Sequence, residues 1–148
     1  MRRIQRSQGK EELVKQLTTG ENAAFGEIWR LLLFSAMLGY KLGRREPLGP
    51  KDSGKAMMES YFANSPAWPG VLFLLGVVET QNTDVMIATE DAENTLLNIF
   101  EEYANGGLAY LNEQLKGRTP TLLIVLDIVN GVTATSRICA PNLAEIAI

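Results

Sequence analysis

The stretch TTGENAAFGEIWRLLLFSAMLGYKLG (18–43) decides the fold class. Its apolar side chains recur at intervals of three and four residues, the spacing that places them on one face of an α-helix. These positions are Phe25, Ile28, Trp29, Leu32, Leu33, Ala36, Met37 and Tyr40. Thr18 and Glu21 have the spacing of a capping box, and Gly43 is typical of a helix C-terminus. We therefore predict one long, largely buried helix over 18–42.

Further helices are predicted on both sides of this stretch. Outside it, helical spacing or capping residues indicate helices over 10–17, 53–63, 71–79, 89–105, 108–115 and 120–130. The run 71–79 suits a strand equally well, but a lone strand would have few partners, so a helix is favoured. Asn105-Gly106-Gly107 is expected to end one helix, and Thr119-Pro120 to begin another.

These elements add up to an all-α, compact single-domain bundle of six to seven helices. Residues 1–9 are expected to be a flexible basic arm, and 10–132 the helical domain. The tail 133–148 shows no clear period, and its structure is left open.

Composition excludes many kinds of chemistry. The chain has 148 residues, of which 46% are apolar and 21% charged, as in an ordinary globular domain. It contains no histidine, so catalytic triads and imidazole metal sites are excluded. The single cysteine, Cys139, cannot form an internal disulfide or a Cys-rich zinc site. We expect no cofactor and no bound metal, and an enzyme is the less favoured interpretation.

The charges are divided unevenly along the chain. Residues 1–60 carry 11 basic and 7 acidic side chains, whereas 61–148 carry 3 basic and 10 acidic ones, which gives the net charge of −3. We predict a binding surface made of the cations of the arm and of the loop that follows the long helix, together with a tryptophan that stands between two prolines. Its residues are Arg2, Arg3, Arg6, Lys41, Arg44, Arg45, Lys51, Lys55 and Trp68. DNA phosphates, an acidic protein surface, or solvent alone could face these cations.

Two features keep an enzymatic alternative open. The segment GPKDSGKA (49–56) fits a phosphate-binding loop except at Ala56, where a hydroxyl would be needed to hold Mg²⁺. The residues before it are charged and polar rather than a buried strand. Glu79 and Asp84 bracket a turn and form the only carboxylate pair considered for a metal site. The alternative is therefore a Mg²⁺-dependent nuclease or a nucleotide-binding protein.

No targeting or membrane segment is expected. The residues after the first arginines are polar, unlike those of a signal peptide, and the longest apolar runs, 71–78 and 122–126, are too short to cross a bilayer. We predict a cytoplasmic protein with no membrane partner, and leave open whether it forms a homo-oligomer.

Three stretches together resemble a known family. They are MLGYKLGRREPLG (37–49), LLGVVETQNTDVMI (74–87) and FEEYANGGLAYLNEQL (100–115), and they are similar to the bacterial DNA phosphorothioation (Dnd) system-associated protein 4 family over about residues 1–130. The resemblance implies a cytoplasmic accessory protein of a system that marks DNA with sulfur and restricts unmarked, often phage, DNA. It assigns no catalytic residue, and it marks 43–47 and 102–106 as expected surface features.

From the resemblance and the charge pattern, we expect a non-enzymatic accessory protein of an antiviral restriction system. Its expected partners are the DNA backbone, protein subunits of the phosphorothioation-dependent restriction complex, or both. The basic loop and arm would make the contact.

Overall fold

The computed structural model describes residues 1–138, with side chains up to residue 134; Cys139 and the rest of the tail lie outside the described residues. Its five α-helices are α1 (Glu11–Thr18), α2 (Ile28–Leu42), α3 (Gly70–Thr80), α4 (Glu90–Gln114) and α5 (Leu122–Ile138). Four short 3₁₀-helices accompany them: Gln8–Lys10, Ser53–Lys55, Glu59–Asn64 and Thr83–Met86. Within residues 1–138 there is no β-strand, so the predicted all-α class is confirmed.

The contact between α2 and α4 forms the centre of the fold, and glycines allow it. A Cβ on Gly39 would lie 2.1 Å from the Tyr103 carbonyl oxygen, and one on Gly107 would lie 1.9 Å from that of Ser35. A Cβ on Gly106 would lie 1.9 Å from the Arg44 carbonyl oxygen. The predicted break at Asn105-Gly106-Gly107 is therefore wrong. These glycines lie inside α4, where they let a neighbouring backbone approach closely.

The helix boundaries around α2 also differ from the prediction. Thr18 ends α1, where its hydroxyl donates to the Val14 carbonyl oxygen at 2.7 Å, so it does not cap the next helix. Gly20 has a φ of 101°, which is incompatible with a continuous helix, and α2 begins only at Ile28. The predicted end is confirmed, because Gly43 adopts the left-handed conformation, with a φ of 66°.

Among the other helices, α3 and the Thr89 cap of α4 are confirmed. The predicted helix over 53–63 is wrong. The Met57 N–H and C=O pair with Ile4 at 2.9 and 2.8 Å, which interrupts the segment and leaves two 3₁₀-helices. The helix predicted over 120–130 begins at Leu122 and continues past Gly131 to Ile138.

The N-terminal segment and Trp68 lie against the body of the protein. Ile4 is 1% exposed, and the Gln8 N–H donates to the Pro50 carbonyl oxygen at 2.9 Å, so the first nine residues do not form the flexible arm that the sequence predicts. Trp68 is 6% exposed, and its ring packs against Phe62 and Phe100 at centroid distances of 4.9 and 5.3 Å. The prediction that Trp68 makes an exposed contact is therefore wrong.

Candidate binding surfaces

Arg45 is held between two carboxylates. Its Nη1 donates to Glu79 at 2.8 Å and its Nε to Glu102 at 2.5 Å. The second oxygen of Glu79 accepts a hydrogen bond from the buried Tyr103 hydroxyl. We call Arg45, Glu79, Glu102 and Tyr103 the Arg45 clamp.

The Arg45 clamp changes the acid–base properties of its members. The hydrogen bond from Tyr103, followed by that from Arg45, lowers the pKa of Glu79 against the opposing effect of burial. Burial and the same hydrogen bond raise the pKa of Tyr103 to about 12. Both shifts favour the state in which a neutral phenol donates to a charged carboxylate. At neutral pH the hydrogen bond therefore joins a neutral Tyr103 phenol to a charged Glu79 carboxylate.

An exposed side chain of α2 packs against the Arg45 clamp, and a second lies one helical turn away from it. The Tyr40 ring meets the Tyr103 ring edge-on, with centroids 5.7 Å apart, and is 40% exposed. Met37, one helical turn before it, is 38% exposed. We call Met37, Tyr40 and the Arg45 clamp the Tyr40 face. Tyrosine, methionine and arginine are enriched in protein–protein interfaces.

Arg44 is held by a second pair of carboxylates. Its Nη1 and Nη2 donate to the two oxygens of Glu113, each at 2.9 Å, and its Nη2 donates to Glu46 at 2.9 Å. The guanidinium also lies 5.9 Å from the Tyr110 ring centroid. We call Arg44, Glu46 and Glu113 the Arg44 clamp. The hydrogen bond from Arg44 lowers the pKa of Glu113, and Lys116 and Lys10 add to this effect through their charge.

The backbone of the loop after α2 fixes both clamps. The Glu46 N–H donates to the Glu102 carbonyl oxygen at 3.1 Å, and the Asn105 side chain donates to the Pro47 carbonyl oxygen at 2.9 Å. This attaches the loop along α4. Consecutive residues of an extended chain point to opposite sides, so Arg44 and Arg45 reach different carboxylates. The expectation that 102–106 is a surface feature is wrong for 103–106, which are buried.

The cations of the N-terminal segment are also engaged within the protein. Arg2 donates to Glu101, which is only 3% exposed, at 2.5 Å. Arg6 donates to Glu11 at 2.5 Å and to the Lys55 carbonyl oxygen at 2.7 Å. The Lys55 ammonium lies 3.3 Å from Glu11. These contacts attach the segment to α1, to α4 and to the 3₁₀-helix Ser53–Lys55.

The structure thus divides the nine predicted site residues into three groups. Arg2, Arg6, Arg44, Arg45 and Lys55 form ion pairs with carboxylates, and Trp68 lies in the core. The exposed cations Arg3, Lys41 and Lys51 form no ion pair with a carboxylate of residues 1–134. The structure therefore does not combine all nine into one surface of free positive charge.

The features of the enzymatic alternative are not brought together either. In segment 49–56, the Asp52 carboxylate accepts from the Gly54 N–H at 2.9 Å, and a 3₁₀-helix follows where a phosphate-binding loop would start an α-helix. Glu79 is bound by Arg45 and Tyr103 rather than paired with Asp84. Within the described part of the chain, no three His, Cys, Asp or Glu side chains are grouped so that they could hold a metal ion.

The sequence alone does not identify the carboxylates that pair with Arg44 and Arg45. Glu102 and Glu113 are eleven residues apart in α4, which is about three helical turns, so they lie on one side of the helix. This spacing indicates that both carboxylates face the same side only if the helix is predicted to continue through Gly106 and Gly107.

Fold and surface together define a small α-helical protein whose candidate sites are charged and aromatic surface clusters. No helix of the described residues is long and apolar enough to span a membrane. The chain belongs to the DNA sulphur modification system-associated protein 4 family, whose sequence model matches residues 3–137. This match confirms the predicted resemblance. No curated protein and no solved structure matches the chain significantly.

Proposed function

We propose that this chain is a non-enzymatic accessory protein that binds another protein of its DNA sulphur modification system through the Tyr40 face. The observation that carries the proposal is the Arg45 clamp, whose Tyr103 ring packs against the exposed Tyr40 and whose guanidinium is bound by two carboxylates. The family supplies the setting, and the geometry of this face supports a protein as the partner.

Charge favours a protein over DNA at this face. Arg45 carries one positive charge, whereas Glu79 and Glu102 carry two negative ones at hydrogen-bonding distance. The Arg45 clamp therefore has a net charge of −1. The exposed Lys41 directly follows Tyr40, and with it the face is neutral and has no net positive charge to attract phosphate. A protein surface that offers apolar side chains with basic groups around them is complementary to it.

Order within the face favours binding as well. Tyr40 packs on Tyr103, and Tyr103 is hydrogen-bonded to Glu79, so these side chains have lost much of their rotamer freedom before a partner arrives. Preordered aromatic side chains near the centre of an interface are the ones that contribute most to affinity.

The non-enzymatic role is supported by the use of the candidate chemical groups elsewhere. Glu79 is a member of the Arg45 clamp, and the Lys55 ammonium pairs with Glu11. Assays with Mg²⁺, nucleoside triphosphates and DNA are expected to show no turnover. Turnover that is abolished by Lys55→Ala or Asp84→Asn would overturn this part of the proposal.

The docking surface can be tested by co-expressing the tagged full chain with the other proteins of its system and measuring what co-purifies. The double variant Met37→Ala, Tyr40→Ala is expected to weaken the complex by about tenfold or more, the usual effect of truncating interface anchors. Its matched control is Met58→Ala, Tyr61→Ala, which removes a methionine and a tyrosine of similar exposure, 49% and 48%, at the same spacing.

The control is expected to retain the partner, and circular dichroism should show that both variants are folded. Equal retention of the partner by the two variants would contradict the proposed surface, as would equal loss.

A further inference from the structure

We infer that the surface around the Arg44 clamp binds the phosphate backbone of a nucleic acid through Lys10, Lys51 and Lys116. We call these three residues the lysine surface. Lys10 and Lys116 were not among the residues that the sequence indicated. This inference is independent of the protein-docking proposal, because it uses other residues.

Backbone contacts place Lys51 beside the segment that carries Lys10. The Gln8 N–H donates to the Pro50 carbonyl oxygen at 2.9 Å, and Ser7 and Lys51 form an isolated antiparallel bridge. Lys51 therefore lies beside the 3₁₀-helix that ends at Lys10. That 3₁₀-helix packs against α4, and Lys116 follows the end of α4 by two residues.

Glu113 gives a second indication that these groups are close. Its carboxylate binds Arg44 and also responds to the charges of Lys116 and Lys10, which lower its pKa further. Geometry places them at the same end of α4, because the N-terminal segment runs along that helix toward its C-terminus. The Gln5 N–H donates to the Glu101 carboxylate at 2.7 Å, and Ser7 lines the same cavity as Leu108. Lys10 and Lys116 therefore lie near the Arg44 clamp.

The charge balance distinguishes this surface from the Tyr40 face. Lys51 and Lys116 are exposed and Lys10 is half-buried, and none of the three forms an ion pair with a carboxylate of residues 1–134. The Arg44 clamp adds one positive and two negative charges. The lysine surface and the clamp together thus have a net charge of +2, whereas the Arg45 clamp has −1.

The chemistry of lysine indicates the class of ligand. An ammonium on a flexible stem is a point charge that can meet a phosphate oxygen without a defined geometry. Contacts of this kind neutralise the backbone and position it but do not distinguish base sequence. Three such contacts predict a slope of about −2.7 for log K against log salt, since each phosphate contributes about −0.9 on duplex DNA.

The test is fluorescence anisotropy of a labelled DNA duplex, titrated with the full chain over a salt series. Wild-type affinity is expected to fall about 40-fold between 50 and 200 mM salt, which corresponds to that slope. The triple variant Lys10→Gln, Lys51→Gln, Lys116→Gln is expected to lose most of the binding and its salt slope. The control Arg3→Gln, Lys15→Gln, Arg30→Gln removes the same total charge from exposed cations elsewhere and is expected to retain both.

Each other outcome overturns the inference. Absence of wild-type binding at low salt would show that the surface does not bind DNA. Equal loss in the two triple variants would mean diffuse attraction rather than a defined surface. The Met37→Ala, Tyr40→Ala variant is expected to bind DNA normally, so failure of this inference and failure of the protein-docking proposal can be told apart.

Discussion

Arg44 and Arg45 are neighbours in sequence with the same chemistry, yet they belong to different surfaces. Each guanidinium binds two carboxylates, one pair being Glu46 and Glu113 and the other Glu79 and Glu102. The Arg44 clamp adjoins the Tyr110 ring and the lysine surface that we propose, whereas the Arg45 clamp adjoins the exposed Tyr40 ring. We propose that the surroundings of an arginine, rather than its own charge, decide what its surface can bind.

The largest expected effect comes from displacing the loop after α2, which carries Arg44 and Arg45, from its position along α4. In Gly106→Ala the new Cβ would lie 1.9 Å from the Arg44 carbonyl oxygen and would displace the segment that carries both clamps. We expect a loss of about 1–3 kcal/mol in the free energy of unfolding, as for other overpacked sites. Chemical denaturation measures it.

Gly131→Ala is the matched control, because Gly131 is also inside a helix and a Cβ there would meet no atom within 4 Å. It is expected to stabilise the protein by about 0.5–1 kcal/mol through helix propensity. A neutral or stabilising Gly106→Ala would contradict the close contact between the loop and α4.

Removing one carboxylate from each clamp compares them directly. Glu79→Gln leaves the buried Tyr103 hydroxyl and the Arg45 guanidinium with a weaker acceptor, and we expect a loss of about 1–2 kcal/mol. Glu113→Gln acts on a side chain that is 54% exposed, so the loss of stability should be smaller than that in Glu79→Gln. Thermal unfolding of the two variants side by side provides the measurement, and equal effects would remove the distinction between the clamps.

The pH dependence of stability should identify the Arg45 clamp. The pKa of Tyr103 is raised from 10.0 to about 12, so its contribution is complete below pH 10 and is lost as the pH rises toward 12. The pKa of Glu79 is lowered, so its contribution is complete above the ordinary carboxyl pKa and is lost as the pH falls through the lowered value.

Ultraviolet titration of the tyrosine phenols checks the raised pKa of Tyr103, on which the predicted loss of stability at alkaline pH depends. In Glu79→Gln the Tyr103 phenol should ionise at lower pH than in the wild type, while Glu113→Gln should leave the titration unchanged. A wild-type chain in which all four tyrosines titrate near pH 10 would argue against the Tyr103–Glu79 hydrogen bond.

The smallest effect is expected from replacing an arginine by lysine. A single ammonium cannot reproduce the planar fork that joins two carboxylates. Arg44→Lys, at an exposed pair, should change stability by no more than about 0.5 kcal/mol and should leave DNA affinity unchanged. Arg45→Lys should be the more destabilising of the two, as measured by thermal unfolding. A larger loss of stability in Arg44→Lys would contradict the conclusion that the Arg45 clamp contributes more to stability than the Arg44 clamp.

Local patterns in the sequence predicted much of the fold but little of the surface. The end of α2 at Gly43, the Thr89 cap and α3 follow from spacing and capping within a few residues. Burial of Trp68 depends on Phe62 and Phe100, which a local pattern does not bring together. The two prolines beside Trp68 correctly indicated a loop but not its burial.

The candidate surfaces could not be predicted because one helix boundary was misplaced. A helix that ends near Asn105 places Glu102 and Glu113 on two different helices. The sequence therefore does not predict that carboxylates of one helix bind Arg44 and Arg45. The backbone freedom of glycine is a local property, and it predicts that Gly106 and Gly107 break a helix. The close approach that they permit depends on Arg44 and Ser35, which lie far away in the sequence.

The division of charge between the two surfaces is tested most directly by lysine acetylation footprinting of the wild-type chain with and without a DNA duplex. The chain has six lysines, so each acts as a probe of its own surroundings and the others serve as internal controls. We predict that DNA slows acetylation of Lys10, Lys51 and Lys116 and leaves Lys15, Lys41 and Lys55 unchanged. Uniform protection of all six lysines, or no protection of Lys10, Lys51 and Lys116, would contradict the proposed division of charge.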